Sequence, residues 1–271
     1  MEDLSTVIEK LKKSIVIVQP ANNKSGTGFF VNEKGLLVTN KHIVQLNTFT
    51  KITLANENEV NATVVYSNND YDFSFAIAEV ADSVPIRLAD SSALKEGKQV
   101  IAIGHPYGYD FTVSKGIISC KKRIVKGIDY VQTDVPINPG NSGGPLLNTE
   151  GEAVGMNTWV VGGADNMSFA VPVNALKTAL DRLNRDFDRL LDMYYCPICG
   201  YLSDTFIKTS KSEYCTNCGT QKIEKKKEKE IKPPDAQPQV VKVCMINCPK
   251  CRTPNDSSSN FCKNCGYRLH E

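Results

Sequence analysis

The chain has 271 residues, 41% of them hydrophobic, with 32 basic against 30 acidic side chains and a net charge of +2. That content supports one sizeable core with small appendages, and the near-neutral balance argues against a polyanionic partner, so nucleic acid is not expected. No stretch approaches the ~20 consecutive apolar residues that span a bilayer.

Residues 1–13 read as a short amphipathic helix. Six β-rich runs follow at 14–18, 26–31, 35–44, 51–56, 59–68 and 73–80, separated by Asn, Lys and Gly turns. A second set lies near 98–104, 111–120, 129–135, 144–148, 152–161 and 167–172. Short strands of regular spacing with turn signals between them predict an all-β architecture of barrels or sandwiches. Residues 148–151 read as a hairpin loop.

Within this frame, Gly140-Asn141-Ser142-Gly143-Gly144 sets a serine among glycines. Glycine lets backbone approach a substrate carbonyl, and a serine hydroxyl becomes a nucleophile once a base takes its proton. The pentapeptide also fits the G-x-S-x-G elbow of α/β-hydrolases, which needs its histidine after the serine. Of the three histidines, His42, His105 and His270, only His270 lies downstream, at the penultimate position of a cysteine-rich tail. The subtilisin order would need helices alternating with strands, against a stretch that reads as nearly all strand. What remains is His, then Asp, then Ser.

His42 ends an apolar run beginning at Gly35 and is the expected base; His105 sits in a Gly- and Pro-containing turn and reads as structural. Among the aspartates between His42 and Ser142, Asp72 heads the apolar strand 73–80, where a desolvated carboxylate can fix an imidazole tautomer. Asp70 is the runner-up. Asp134 is expected to support the nucleophile loop.

With these residues in place, the chain resembles the HtrA-type serine proteases of the trypsin-like superfamily. The matching segments are Gly26-Thr27-Gly28-Phe29-Phe30-Val31, Thr39-Asn40-Lys41-His42-Ile43-Val44, Asp72, Ile103-Gly104-His105-Pro106-Tyr107-Gly108, 132–145 and Ser168-Phe169-Ala170-Val171-Pro172. They occur in family order over roughly residues 14–180. The resemblance implies two six-stranded β-barrels with a site in the cleft between them. It implies peptide-bond hydrolysis with His42 as base, Asp72 as orienter and Ser142 as nucleophile, without a cofactor for catalysis. It further implies an oxyanion hole from the N–H groups of Gly140 and Ser142. In relatives that cut after Lys or Arg an acid stands six residues before the serine; here that position is Pro136. With Ile137, Met167 and Ala170 as further walls, the pocket is expected to take an apolar residue. The glycine-rich segment 160–166 is expected to move and to control the oxyanion hole.

The ten cysteines carry a second message. Cys196, Cys199, Cys215 and Cys218 form C-x2-C-x15-C-x2-C, and Cys248, Cys251, Cys262 and Cys265 form C-x2-C-x10-C-x2-C. Each C-x2-C turn can present two thiolates to one metal, and two such pairs close a tetrahedral structural Zn2+ site. Both quartets resemble zinc ribbons and stand where HtrA-type chains usually carry PDZ domains. They are expected to recruit protein substrates or partners. Pairing is expected within each quartet, with cross-bracing left open.

Leu176, Leu180, Leu183, Phe187, Leu190 and Tyr194 alternate at spacings of four and three, a heptad seam. Docking is expected for Leu176 and Leu180, while the distal half leaves self-association into a homo-oligomer open. The Lys/Glu/Pro segment after the first quartet reads as a solvated spacer. The expected partition is a protease domain at 1–183, a connecting helix at 184–194, ribbons at 195–221 and 244–271, and a linker at 222–243. The acidic start Met1-Glu2-Asp3-Leu4 has no apolar signal segment, and with thiolate metal sites this makes the cytoplasm the expected compartment. The competing class is an inactive barrel scaffold bearing interaction ribbons, or a nucleic-acid-associated regulator.

Overall fold

The computed structural model describes residues 3–21, 25–105, 111–160, 167–210, 212–222, 245–247, 249–251 and 254–256. Residues 1–222 and 223–271 form separate compact units.

In the first unit, twelve of the strands close two antiparallel barrels. The first contains β1 (Ile15–Gln19), β2 (Gly26–Phe30), β3 (Leu36–Thr39), β4 (Phe49–Thr53), β5 (Glu59–Ser67) and β6 (Ser74–Ala78), in the order β1-β2-β3-β6-β5-β4. The second contains β7 (Gln99–Gly104), β8 (Thr112–Val125), β9 (Ile128–Thr133), β10 (Pro145–Leu147), β11 (Ala153–Val160) and β12 (Ser168–Pro172), in the order β10-β11-β12-β9-β8-β7. Closure removes the unpaired edges that an open sheet would expose. Each of the twelve runs anticipated from the sequence overlaps a strand, and the fold is the expected all-β pair of six-stranded barrels of the trypsin type.

The strands close because their inward residues are apolar and stiff. Val16, Val18, Phe29, Leu37, Val38, Ile52 and Phe75 are fully buried in the first barrel. Val100, Ala102, Ile118, Val131, Leu146, Val154 and Ala170 pack together in the second. At about 25 cal/mol per Å2 of apolar surface removed from water, such burial is the main favourable contribution to folding.

Three helical pieces decorate the barrels. Helix α1 (Leu4–Leu11) lays Leu4, Ile8 and Leu11 on the core. Residues 40–44, expected to prolong β3, instead form the single turn α2 (Lys41–Val44). Helix α3 (Val173–Arg185) buries Leu176, Leu180 and Leu183, so docking of its first half holds. It ends at Asp186 and gives way to a 3-10 turn over Phe187–Arg189, so the heptad seam does not continue as one helix. Leu190 is nevertheless buried against the barrel unit, which turns the chain back onto its own surface.

The first cysteine segment follows as two short hairpins, β13 (Tyr194–Tyr195) with β14 (Leu202–Ser203) and β15 (Phe206–Lys208) with β16 (Glu213–Cys215). Lys222, expected to open the linker, joins this module: its Nζ donates to Glu213 at 2.8 Å and lies 4.0 Å from the centre of the Phe206 ring. The second unit contains the hairpin of β17 (Met245–Asn247) and β18 (Pro254–Asp256). The remaining linker residues, 223–243, lie outside the described residues. Among the described residues, no helix is long and apolar enough to cross a membrane.

Candidate active site

Strand β3 delivers the chain to Asn40, whose side chain donates to the Asp72 carbonyl at 2.8 Å. In the helical turn that follows, His42 faces Asp72 through two contacts. The His42 N–H donates to Asp72 Oδ1 at 2.9 Å, and His42 Nδ1 lies 2.6 Å from Asp72 Oδ2. The Thr158 hydroxyl, on β11, donates to the same Oδ2 at 2.8 Å. One carboxylate thus holds both the backbone and the ring of His42. Hydrogen bonds to an ionised acceptor are short and strong, and a ring held through Nδ1 presents Nε2 outward. Asp70 makes no such contact; its N–H is taken by Asn68 Oδ1.

Ser142 enters from the other barrel on a loop fixed from both sides. Thr27, on β2, donates its N–H to the Ser142 carbonyl at 2.8 Å and its hydroxyl to the Gly140 carbonyl at 2.6 Å. On the second barrel, the Gly143 N–H donates to Asn157 O at 2.8 Å and Asn157 N–H to Gly144 O at 2.9 Å. Gly143 has φ +85, and a Cβ there would run into the Thr27 carbonyl oxygen, so glycine is required. Gly140 has φ +107. Among the described residues, the N–H groups of Gly140 and Ser142 have no internal hydrogen-bond partner. The Ser142 hydroxyl donates to the Thr158 carbonyl at 3.2 Å, and no hydrogen bond joins it to His42.

His42 and Ser142 line the same cleft, about 440 Å3 in volume, with Ile43, Ile137, Pro139 and Trp159 among its walls. Of the four residues expected in a specificity pocket, Ile137 lines it. Pro136 and Met167 are exposed, and Ala170 is buried in the core of the second barrel; none of these three is among the lining residues. Trp159, unremarked in the sequence, stacks on Phe169 with ring centres 4.2 Å apart. Asp134 accepts the Ile117 N–H at 2.6 Å and so ties its turn to β8 rather than bonding the serine loop. The segment expected to move, 160–166, lies outside the described residues but for the backbone of Val160 at the end of β11.

Thr158 and Thr27 are the functional residues that sequence reasoning missed. Thr27 lies in a segment already singled out, 26–31, but without a role of its own, and Thr158 sits in the run 152–161 with nothing beside it in the sequence to mark it.

Away from the cleft, the sulfurs of Cys196, Cys199, Cys215 and Cys218 lie within 4.8 Å of one another. Cys196–Cys218 and Cys199–Cys215 are each separated by 3.7 Å, far beyond a disulfide bond of about 2.05 Å. A tetrahedral Zn–S length of about 2.3 Å requires sulfurs about 3.8 Å apart, so the quartet fits such an ion. Gly200 and Gly219, each directly after a C-x2-C, have φ +70 and donate their N–H to the carbonyls of Cys196 and Cys215. Burial pushes the Cys196 thiol up to about 12, whereas bonds from Thr220 hold Cys218 down at about 6. Of the second quartet, Cys251 lies in the turn after β17, and Cys248, Cys262 and Cys265 fall outside the described residues.

The fold and its cleft define a trypsin-like serine protease domain. Residues 26–156 match the family model described as a trypsin-like peptidase domain. The chain is 41% identical over 167 residues to a probable periplasmic serine endoprotease, DegP-like, of Hahella chejuensis, covering 59% of this chain and 35% of that protein. A protein of the same description from Halomonas elongata is 36% identical over 191 residues, with 67% and 40% covered. Among solved structures, the HtrA-type protease AlgW with a tripeptide superposes with a TM-score of 0.62 at 25% identity, covering 67% of this chain and 64% of that one. The barrel pair therefore has the trypsin-like serine protease fold and is similar to the protease domains of HtrA-type and DegP-like proteins. The chain spans between a third and two fifths of the length of these curated relatives.

The same names correct the cytoplasmic expectation, because the relatives are described as periplasmic.

Proposed function

We propose that this chain is a serine endopeptidase acting on protein substrates, with His42 as general base, Asp72 as its orienting acid and Ser142 as nucleophile. The observation that carries the reading is the 2.6 Å contact between His42 Nδ1 and Asp72 Oδ2, in a cleft that His42 shares with Ser142. In this mechanism His42 Nε2 takes the Ser142 proton as the hydroxyl attacks the scissile carbonyl, and later returns it to the leaving amine. The N–H groups of Gly140 and Ser142 would receive the developing oxyanion, a role consistent with their freedom from internal partners. The bond from Ser142 to the Thr158 carbonyl must break before attack, so substrate binding includes a rotation of the serine side chain. The cleft walls Ile137 and Trp159 favour an apolar residue at the cleaved position.

The cysteine segments are proposed as structural metal modules. Cys196, Cys199, Cys215 and Cys218 would hold a Zn2+ ion, which when bound contributes folding free energy on the order of 10 kcal/mol to such small modules. Cys248, Cys251, Cys262 and Cys265 would make the second site. Recruitment of target proteins is proposed for both modules, and removal of the second, residues 244–271, should alter target choice while leaving cleavage of a generic unfolded protein intact.

The test is covalent labelling with a fluorophosphonate probe beside a casein digestion. Wild type should label and digest; Ser142→Ala should do neither. Absence of labelling in folded wild type presented with unfolded protein would overturn the endopeptidase reading.

A further inference from the structure

The first cysteine module is packed against the part of the first barrel that presents Asp72. Tyr195 is buried, and its hydroxyl lies 2.7 Å from the Ser67 hydroxyl at the end of β5. Ser67 in turn meets Ser74 at the start of β6, at 2.5 Å. Between those strand ends runs the turn that carries Asp72. Gly200, in the first C-x2-C knuckle, sits so close to this turn that a Cβ would overlap the Ser67 carbonyl oxygen. Asn69 donates its side-chain amide to the Cys199 carbonyl at 2.9 Å.

The turn is otherwise held by short-range bonds of its own. Asn68 Oδ1 accepts the N–H groups of Asp70 and Tyr71, and the Asn68 N–H donates to Phe73 O. Lys41, next to His42, donates to the Asn68 carbonyl and to Asn69 Oδ1, both at 3.2 Å. The knuckle, the turn and the base-bearing helical turn therefore form one connected chain of contacts: Cys199 to Asn69, Asn69 to Lys41, and Asp72 to His42. With a cation held by the four sulfurs, the Cys199 carbonyl and Gly200 are fixed and the turn has a rigid backing. Without one, the knuckle is left with its backbone bonds, Gly200 N–H to the Cys196 carbonyl and Cys196 N–H to the Tyr201 carbonyl, and such modules are too small to bury a self-sufficient core of their own.

From this geometry we infer that the first cysteine module is a positioning clamp for the catalytic acid: metal binding at Cys196, Cys199, Cys215 and Cys218 fixes the 67–71 turn and thereby sets Asp72 on His42. This inference rests on the endopeptidase reading for its catalytic consequence, and on the contacts of Cys199, Gly200 and Tyr195 for its mechanical part. Asn69 is a positioning residue that touches neither substrate nor the reacting atoms.

The experiment uses the full chain, loaded with Zn2+ or stripped by a chelator, and reads two quantities. The first is the rate of fluorophosphonate labelling at Ser142. The second is amide hydrogen exchange across residues 67–73, which does not depend on catalysis. Stripping should slow labelling at least tenfold and raise exchange in that turn, with both restored by added Zn2+ while β7–β12 keep their protection. Asn69→Ala should retain the metal yet lower kcat severalfold with KM unchanged. Unchanged exchange and unchanged labelling on stripping would overturn the clamp. Exchange that rises while neither form labels would overturn the endopeptidase reading and leave the mechanical link standing. Asn69→Ala with wild-type kcat would remove Asn69 from the link.

Discussion

Thr158 and Asp72, 86 positions apart, are joined by a 2.8 Å hydrogen bond from a strand of the second barrel to the acid presented by the first. The bond runs from one barrel to the other, so the carboxylate that bonds His42 is itself held by the opposite barrel. Thr158→Val keeps the side-chain shape and removes the donor. A hydrogen bond to a charged group contributes about 1.5–3 kcal/mol, and we expect kcat/KM to fall roughly tenfold to a hundredfold. Thr158→Ser should retain most activity. Steady-state kinetics with a thermal melt checks this; equal kinetics for the Val variant would remove Thr158 from the site.

Asp72→Asn removes the charge while preserving size. An amide at this place can hold the ring in the wrong tautomer, and in serine proteases of this geometry the loss in kcat is about 10^4-fold. Folding should survive, because Asn40 contacts the Asp72 carbonyl, which is unchanged. Asp70→Asn is the control and should leave kcat within about twofold of wild type, since Asp70 lends the site only a backbone N–H.

Much of this arrangement was legible in the sequence, and the gaps have physical causes. Short β-rich runs with turn residues between them marked every barrel strand, and several, such as β2, β3 and β6, are buried along their whole length, which is why they read as continuous apolar runs. His42, Asp72 and Ser142 stood out because their neighbours are constrained: a buried strand end, a strand start and a glycine loop. Thr158 was silent because a polar residue in a strand carries no label of what it meets across a cleft. The turn at 41–44 was misread as strand because Ile43 and Val44 are apolar. There Asn40 gives its side chain to Asp72 and the chain coils instead. The seam after Arg185 failed for a related reason, as burial of Leu190 and Tyr195 bends the chain toward the first barrel. Apolar spacing cannot distinguish a continued helix from a chain that folds back to bury the same residues.

Gly143→Ala tests the rigidity of the nucleophile loop. The position has φ +85, and the added carbon meets both the Thr27 carbonyl and, at 2.6 Å, Thr39 Oγ1. Strain in this backbone region costs about 1–3 kcal/mol. We expect a lower melting temperature and a loss of fluorophosphonate labelling larger than the loss of folded protein explains, because the displaced peptide also carries the Ser142 backbone. Labelling that tracks the folded fraction alone would show the loop to be more compliant than its bonds suggest.

Asp90 gives a pH prediction. Its carboxylate accepts from Asn174 on α3 at 2.7 Å and from the hydroxyl and N–H of Ser92, which together hold it down at about 2. A carboxylate depressed in the folded state binds fewer protons there than in the unfolded chain. Its contribution is therefore present above about pH 4, the unfolded value, and is lost as pH falls through the folded value of about 2. Asp90→Asn should lower the melting temperature at neutral pH and flatten its decline between these limits. A variant whose melting temperature falls with acid as steeply as wild type would assign that slope to other carboxylates.

Cleavage preference follows from what the cleft does not contain. Pairing a substrate Lys or Arg inside a confined cleft requires a carboxylate, since an unpaired buried charge is costly. Among the described lining residues none is acidic: Ile43, Ile137 and Trp159 supply apolar surface, and Ser25, Asn138 and His42 the polar groups. Position 136, where an acid would stand in a Lys/Arg-specific enzyme, is an exposed proline. One methylene in an apolar pocket is worth only about 1–3 kcal/mol, so discrimination among aliphatic residues should be modest. Rejection of Lys and Arg should be stronger, about a hundredfold or more in kcat/KM, because desolvation of an unpaired cation exceeds that amount. A peptide library varied at the cleaved position measures both. Turnover chiefly after Lys or Arg would mean that an acid from elsewhere in the chain reaches the cleft, and the apolar reading of Ile137 and Trp159 would fall.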